Sequence, residues 1–250
     1  MMKFKKFAIA AALATGILGF GSSAQAVPVA LELALLVDVS GSVSAAEYNL
    51  QKSGYVNAFL DANVQANIAS HAGGIAVTYI EWSGGSQQAQ LVNWFHITDA
   101  ASATAFAATL NGVSRAFSGS TAPGSAIQFV TPQFSTNAFE GNRWVIDVSG
   151  DGAENNGVDT SNARDAALAA GVDAINGLPI LGEAGLLNFY TNNIKGGAGS
   201  FVLPAASFND FEGAVAAKIG REIAQIPEPA TLALFGLGLF GFVASRRRKQ

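Results

Sequence analysis

Cysteine is absent from this sequence of 250 residues. A disulfide framework and any chemistry that needs a thiol are therefore excluded. Half of the residues are hydrophobic, so a large apolar core can stabilise the fold without cross-links. The sequence accordingly indicates one domain, or two small ones, held together by packing alone.

Histidine is scarce, and the usual signatures of a catalytic nucleophile are missing. His71 lies in a predicted loop and His96 in a predicted edge strand, and neither has an evident nucleophile as a partner. No G-x-S-x-G segment is present, which argues against an α/β-hydrolase. A haloacid-dehalogenase-like phosphatase needs a second aspartate two residues after the first, where this sequence has Ser40. We therefore expect no enzymatic activity and rank a metal-dependent hydrolase of exopolysaccharide last.

Basic residues are few outside the two ends of the chain. Residues 27–226 contain seven Lys and Arg against 17 Asp and Glu, a formal charge of −10. The whole chain carries only −4 because the remaining basic residues lie near the termini. A body this acidic repels nucleic acid, so we expect no nucleic-acid partner, and it attracts cations.

The N-terminal residues have the pattern of a secretory signal peptide. Three lysines precede an apolar run over residues 7–20, and small residues then lead to an A-x-A cleavage site that ends at Ala26. An uncleaved anchor helix is the alternative, but the run is shorter than the roughly 20 residues that span a bilayer. We expect residues 1–26 to be removed on export.

The C-terminal residues 227–250 form a second sorting segment. Pro-Glu-Pro at 227–229 precedes an apolar run over 230–244 and a basic cluster at 246–249, which the positive-inside rule keeps in the cytoplasm. This order resembles the PEP-CTERM signal of Gram-negative bacteria. The resemblance implies anchoring in the inner membrane, removal of the tail by an exosortase, and then a cell-surface or extracellular location. A permanent membrane anchor is the alternative.

Between these segments, strand and helix patterns alternate along residues 27–226. Alternation of this kind predicts a doubly wound α/β domain with a mostly parallel sheet and helices on both faces. The run at 89–97 follows a Gly-Gly turn and is expected to be an antiparallel edge strand. Strands are predicted over 31–37, 75–82, 89–97, 144–148, the second half of 172–181 and 200–203, and helices over 45–62, 99–110, 125–134, 161–170 and 208–224.

Oxygen-bearing side chains follow the first predicted strand at alternate positions. Asp38, Ser40 and Ser42 form the pattern D-x-S-x-S, and alternate residues can point the same way. Gly41 permits a tight turn between them. Carboxylate and hydroxyl oxygens suit a hard cation such as Mg²⁺, which usually keeps several waters.

This pattern resembles the metal-ion-dependent adhesion site (MIDAS) of von Willebrand factor type A (vWA) domains. The resemblance extends to Thr121 in a later Gly/Ser loop and to Asp151 in an Asp-Gly after a middle strand. It implies that Asp38, Ser40, Ser42, Thr121 and Asp151 hold Mg²⁺, with Mn²⁺ or Ca²⁺ as the alternatives.

The same resemblance implies a function. An acidic group of a partner protein or of an extracellular-matrix ligand would complete the coordination shell of the metal. We therefore expect a non-enzymatic adhesion module of the cell surface or matrix. The alternative is a structural matrix or biofilm component in which the metal only stabilises the fold.

The sequence Asp-Val-Ser-Gly of residues 38–41 occurs again at residues 147–150. The second copy begins like an EF-hand loop, but position 12 of that loop is Val158 instead of Glu. We expect Asp147 to support the site from the strand end, through the loop backbone or Ser40. Glu154, Asn155 and Asn156 are expected to form a polar rim.

Overall fold

The computed structural model describes residues 26–226, so the predicted C-terminal sorting segment and all but Ala26 of the predicted signal peptide lie outside the described residues. The strands are β1 (Val27–Val29), β2 (Leu31–Asp38), β3 (Ile75–Trp82), β4 (Gln88–Ile97), β5 (Phe139–Gly141), β6 (Trp144–Gly150), β7 (Ala174–Pro179) and β8 (Gly196–Gly197). The helices are α1 (Ala45–Leu60), α2 (Ala62–Ser70), α3 (Ala100–Asn111), α4 (Pro123–Val130), α5 (Thr160–Ala169), α6 (Leu186–Phe189) and α7 (Phe211–Ala224).

The central sheet has the order β4-β3-β2-β6-β7-β8. Strands β3, β2, β6 and β7 are parallel, and β4 runs antiparallel at one edge. This confirms the predicted α/β class, the mostly parallel sheet and the antiparallel edge strand. The two-residue β8 adds a second antiparallel pair at the other edge. A separate two-stranded sheet pairs β1 with β5.

Strand β2 is apolar except for Glu32 and the terminal Asp38, and this composition suits a strand that is buried on both faces. All eight of its residues are buried, and their side chains alternate between two cores. Leu33 and Leu35 belong to the core that contains α1, α3 and α7, whereas Ala34 and Leu36 belong to the core that contains α4 and α5. The sheet therefore lies between two helical layers, and the carboxyl ends of β2 and β6 lie side by side.

Local sequence signals set most helix ends. Ser44 and Glu47 form the predicted capping box at the start of α1. The predicted helix over 45–62 ends earlier, because the side chain of Asp61 caps a separate helix, α2. Pro123 starts α4, two residues before its predicted beginning, and the chain continues from Thr131 as a 3₁₀ helix that includes Pro132. Proline lacks the amide hydrogen that an α-helix interior needs.

Two strand predictions differ from the structure, and one strand pair was missed. The strand expected in the second half of 172–181 runs from Ala174 to Pro179. The strand expected over 200–203 is an isolated bridge at Val202. The short pair of β1 and β5 was not predicted, because three-residue strands carry too little periodicity to be recognised.

Both ends of the described chain lie near the amino end of β6. The amide of Val27 donates to the carbonyl of Ala138 at 2.8 Å, and Arg143 donates to the carbonyl of Gln225 at 2.7 Å. Within residues 26–226, no helix is long and apolar enough to cross a membrane. The predicted spanning run over 230–244 is outside this range.

Candidate metal centre

The loop after β2 gathers the three residues of the D-x-S-x-S pattern. The amide of Ser40 donates to Oδ1 of Asp38 at 2.7 Å, which turns the backbone back over the strand end. The hydroxyls of Ser40 and Ser42 lie 3.1 Å apart. Asp38 and Ser40 are fully buried, whereas Ser42 is exposed at the mouth of the site.

Asp151 reaches this loop from the neighbouring strand. It follows β6, which is paired in parallel with β2, so both strands end at the same edge of the sheet. The hydroxyl of Ser42 donates to Oδ1 of Asp151 at 2.7 Å. The structure therefore connects Asp38, Ser40, Ser42 and Asp151 in one continuous hydrogen-bonded group.

Thr121 borders the same cleft as Ser42 and Asp151. Asn155 fixes its position: the amide of Thr121 donates to Oδ1 of Asn155 at 2.9 Å, and the amide of Asn155 donates to the carbonyl of Thr121 at 3.0 Å. Gly41 then ties the loops together by donating to the carbonyl of Gly119 at 2.8 Å. All five predicted ligand residues are thus brought to one place, and their role as metal ligands stays a prediction.

A buried carboxylate oxygen at this site is left without a hydrogen-bond partner. Among the described residues, Oδ2 of the fully buried Asp38 has no hydrogen-bond partner. Gly150 leaves the space beside it open: a Cβ there would lie 2.6 Å from Oδ2 and 2.9 Å from the hydroxyl of Tyr190. A buried carboxylate oxygen without a hydrogen-bond donor is energetically costly. Hard cations prefer oxygen ligands of this kind.

The buried carboxylates of the site also favour a bound cation. Burial raises the pKa of Asp38 to about 7, and the charge of Asp151 contributes. Burial also raises the pKa of Asp151, with further contributions from Glu47 and Glu183. Within residues 26–226, no three His, Asp or Glu side chains form a metal-binding group. The ligand set here combines two carboxylates with three hydroxyls, so positive charge near it would relieve the repulsion.

Sequence reasoning missed the groups that hold the loops in place. Nη2 of Arg115 donates to the carbonyls of Val39 and Ser40 at 2.8 and 2.7 Å. The buried carboxylate of Glu81 accepts from the amide of Ala116 at 2.7 Å and from Tyr48 at 2.8 Å. A lone arginine and a strand glutamate carry no pattern that distinguishes them from surface residues.

The expectation for Asp147 was wrong. Its side chain forms an ion pair with Lys218 of α7, in the interior of the domain, and does not contact the loop or Ser40. Lys218 also pairs with Glu222 at 2.7 Å, and Asn176 donates to Glu222 at 2.8 Å. Asp147 points away from the strand end because it lies four residues before Asp151, well inside β6.

The three polar residues expected to form a rim have separate structural tasks. Glu154 accepts from the amide of Thr160 at 2.6 Å at the start of α5. Asn156 accepts from the amide of Gly85 at 2.8 Å. Asn155 holds Thr121, as described above. Glu154 and Asn155 also line the cleft beside Thr121 and Asp151, so these two residues lie at a polar rim as expected while they hold the loops in place.

Comparison with known families gives two matches. The family model described as "Protein of unknown function (DUF1194)" matches residues 28–227. The PEP-CTERM protein-sorting motif matches residues 225–249, which indicates an exported protein that is anchored in a membrane before processing. No curated protein matches the chain.

Solved structures show the same fold at low sequence identity. The pilus adhesin SpaC of Lactobacillus rhamnosus GG is 16% identical, with a TM-score of 0.57 over 77% of this chain and 30% of that chain. Proximal thread matrix protein 1 of the mussel byssus is 15% identical, with a TM-score of 0.54 over 77% and 46%. Its form with a zinc-occupied MIDAS motif is 16% identical, with a TM-score of 0.52 over 76% and 46%. The chain thus covers less than half of these solved chains.

Proposed function

Because the chain belongs to the DUF1194 family, a vWA-like family, and carries a PEP-CTERM motif, we propose that it is an exported, metal-dependent protein-binding module. Its place after processing by an exosortase is the cell surface or the extracellular matrix. The observation that carries the proposal is the hydrogen-bonded group of Asp38, Ser40, Ser42 and Asp151, in which a buried carboxylate oxygen lacks a partner.

Asp38, Ser40, Ser42, Thr121 and Asp151 would hold the metal, directly or through water. Mg²⁺ fits these oxygen ligands, and Mn²⁺ or Ca²⁺ are the alternatives. The metal supplies a positive charge to which an acidic group of the partner binds. The protein contributes the buried and braced loops, which position the oxygens before the metal arrives.

The position of the chain ends supports a role in binding at a surface. The ligand residues lie at the carboxyl ends of β2 and β6, whereas Val27 and Gln225 are held near the amino end of β6. A membrane-anchored tail that begins after Ile226 therefore leaves from the end of the domain opposite the metal. The binding face would point away from the membrane.

A structural role in the matrix is the second candidate. The bond from Ser42 to Asp151 joins the loops of two neighbouring strands, and a metal at this junction would strengthen the same connection. In that case, removal of the metal lowers stability and leaves partner binding unchanged.

A binding assay on the native surface fraction separates these functions. The full chain is incubated with that fraction in Mg²⁺, in chelator, and in Mg²⁺ restored after chelation. We expect captured protein in the first and third conditions only, and none with Asp38→Ala, whose folding is verified by circular dichroism. Capture of the natural protein that persists in chelator, or capture of the folded Asp38→Ala variant, would refute the adhesion function and favour the structural one.

A further inference from the structure

A cleft of about 660 Å³ opens beside the metal centre. Its volume is in the range of roughly 300–1,000 Å³ that is typical of ligand sites. Glu47 and Leu50 of α1 line it, as do Leu181 and Glu183 of the segment after β7. Ser42, Thr121 and Asp151 belong to the same lining, so a ligand in the cleft would reach the metal.

The apolar part of the lining is exposed to solvent. Leu50 is 39% exposed and Leu181 is 37% exposed, although both are large aliphatic side chains. Phe208 adds a partly buried ring to the same wall. Exposed apolar side chains grouped in a concave surface are typical of a binding site.

The charged part of the lining is entirely acidic. No lysine or arginine is among the residues that line the described cleft. The charges of Glu47 and Glu183 are close enough to raise the pKa of Asp151. Once Asp38 and Asp151 are offset by a divalent cation, these two glutamates leave the cleft negative. A third lining glutamate, Glu154, adds to this charge, although its Oε2 is already engaged by the amide and hydroxyl of Thr160.

Each of the two glutamates is fixed in place by the protein. Oε2 of Glu47 accepts from the amide of Ser44 at 2.8 Å, and Oε2 of Glu183 accepts from the amide of Ala153 at 2.9 Å. Among the described residues, their other oxygens accept no hydrogen bond. Fixed carboxylates of this kind favour a cationic group and repel a second anion.

We propose, on the basis of the function given above, that the cleft selects a peptide segment in which the metal-binding acidic residue is accompanied by a basic residue. The carboxylate of the segment reaches the metal, and the basic side chain lies between Glu47 and Glu183. An apolar side chain of the segment covers Leu50 and Leu181. A purely acidic segment is repelled by the same walls, so charge complementarity discriminates among acidic partners.

A matched peptide series tests this selection. Each fluorescent peptide carries one central glutamate, one leucine and one lysine. Across the series, the lysine is moved through every position within three residues of the glutamate. The comparison peptides carry glutamine instead of lysine. In Mg²⁺, we expect at least one lysine peptide to bind the full chain about 5-fold more tightly than its glutamine counterpart, by fluorescence anisotropy, since exposed charge pairs contribute modestly.

The variants separate local charge from net charge. Glu47→Gln with Glu183→Gln removes two charges and keeps both hydrogen bonds, because glutamine also has an acceptor oxygen. We expect this double variant to lose most of the preference for lysine, because Glu154, the remaining glutamate of the lining, is held by Thr160 at the start of α5. The control, Glu140→Gln with Asp165→Asn, removes two exposed charges outside the cleft lining and should keep the preference.

The possible results distinguish this selection from the proposed function. Equal, Mg²⁺-dependent binding of both peptides would overturn the selection and leave the metal-dependent function intact. A preference that survives undiminished in the Glu47→Gln/Glu183→Gln variant would also overturn it. Binding of no peptide would refute the selection, and capture from the surface fraction would then decide the function independently.

Discussion

Ser42 donates a hydrogen bond of 2.7 Å to Asp151, although 109 positions separate the two residues in the sequence. The bond forms because β2 and β6 are parallel neighbours and end at the same edge of the sheet. It joins the loop at the first copy of Asp-Val-Ser-Gly to the loop that follows the second copy. The two copies therefore lie side by side, but they contribute carboxylates from different positions to the site. Asp38 is the first residue of the first copy, whereas Asp151 follows the last residue of the second copy.

Thr121 offers a conservative test of the hydroxyl ligands. Thr121→Val removes the hydroxyl while keeping the shape, so we expect weaker Mg²⁺ binding by isothermal titration calorimetry. Thr121→Ser keeps the hydroxyl and should bind nearly as well as the natural protein. Equal Mg²⁺ affinity in both variants would show that this hydroxyl does not contact the ion.

Gly150 provides the space beside the buried Asp38. In Gly150→Ala, the added Cβ would lie 2.6 Å from Oδ2 of Asp38, so the carboxylate must move and Mg²⁺ affinity should fall at least about tenfold. Gly213→Ala is the matched control, because nothing lies within 4 Å of a Cβ at that position in α7. It should bind Mg²⁺ normally and be slightly more stable. Normal Mg²⁺ affinity in Gly150→Ala would contradict a role of Asp38 as a metal ligand.

The buried ion pairs of Lys218 make a prediction about stability. Lys218→Met leaves the carboxylates of Asp147 and Glu222 without their cation in the core. We expect the free energy of unfolding to fall by about 3–5 kcal/mol in urea denaturation. Lys195→Met, at a partly exposed position, should change it by less than about 0.5 kcal/mol. A loss below about 1 kcal/mol for Lys218→Met would mean that the pairs are not formed.

Asp147 makes the stability depend on pH. Burial raises its pKa to about 7, and the charge of Glu222 contributes, while Lys218 opposes the shift. The folded state therefore holds a proton that the unfolded state releases near pH 4, so this group lowers stability as the pH rises from about 4 to 7. Urea denaturation across this range should give a flatter pH profile for Asp147→Asn. An unchanged profile would argue against the raised pKa.

The central part of the fold could be predicted from the sequence because its signals are local. The apolar runs of β2 and β3 and the capping box at Ser44 all lie where they were expected. The separate helix α2 and the exact place of β7 were missed. The helical pattern predicted over residues 45–62 runs past Asp61, so it did not reveal that the side chain of Asp61 caps a new helix there.

The site was predictable only as a set of residues. The spacing of Asp38, Ser40 and Ser42 identified one loop, and the resemblance to vWA domains added Thr121 and Asp151. The sequence pattern did not reveal which way each side chain of β6 points, so Asp147 was assigned to the site when it faces Lys218. The support from Arg115 depends on a contact across 75 residues, which no local pattern encodes.

The most direct test is a calorimetric titration of Mg²⁺ into the full chain and into Asp38→Asn. Asparagine keeps the size of the side chain and its acceptor oxygen for Ser40, but it removes the charge that would hold the ion. We expect one binding site in the natural protein and a large loss of affinity in the folded variant. Absence of Mg²⁺, Mn²⁺ and Ca²⁺ binding to the natural protein, or equal affinity in Asp38→Asn, would contradict it.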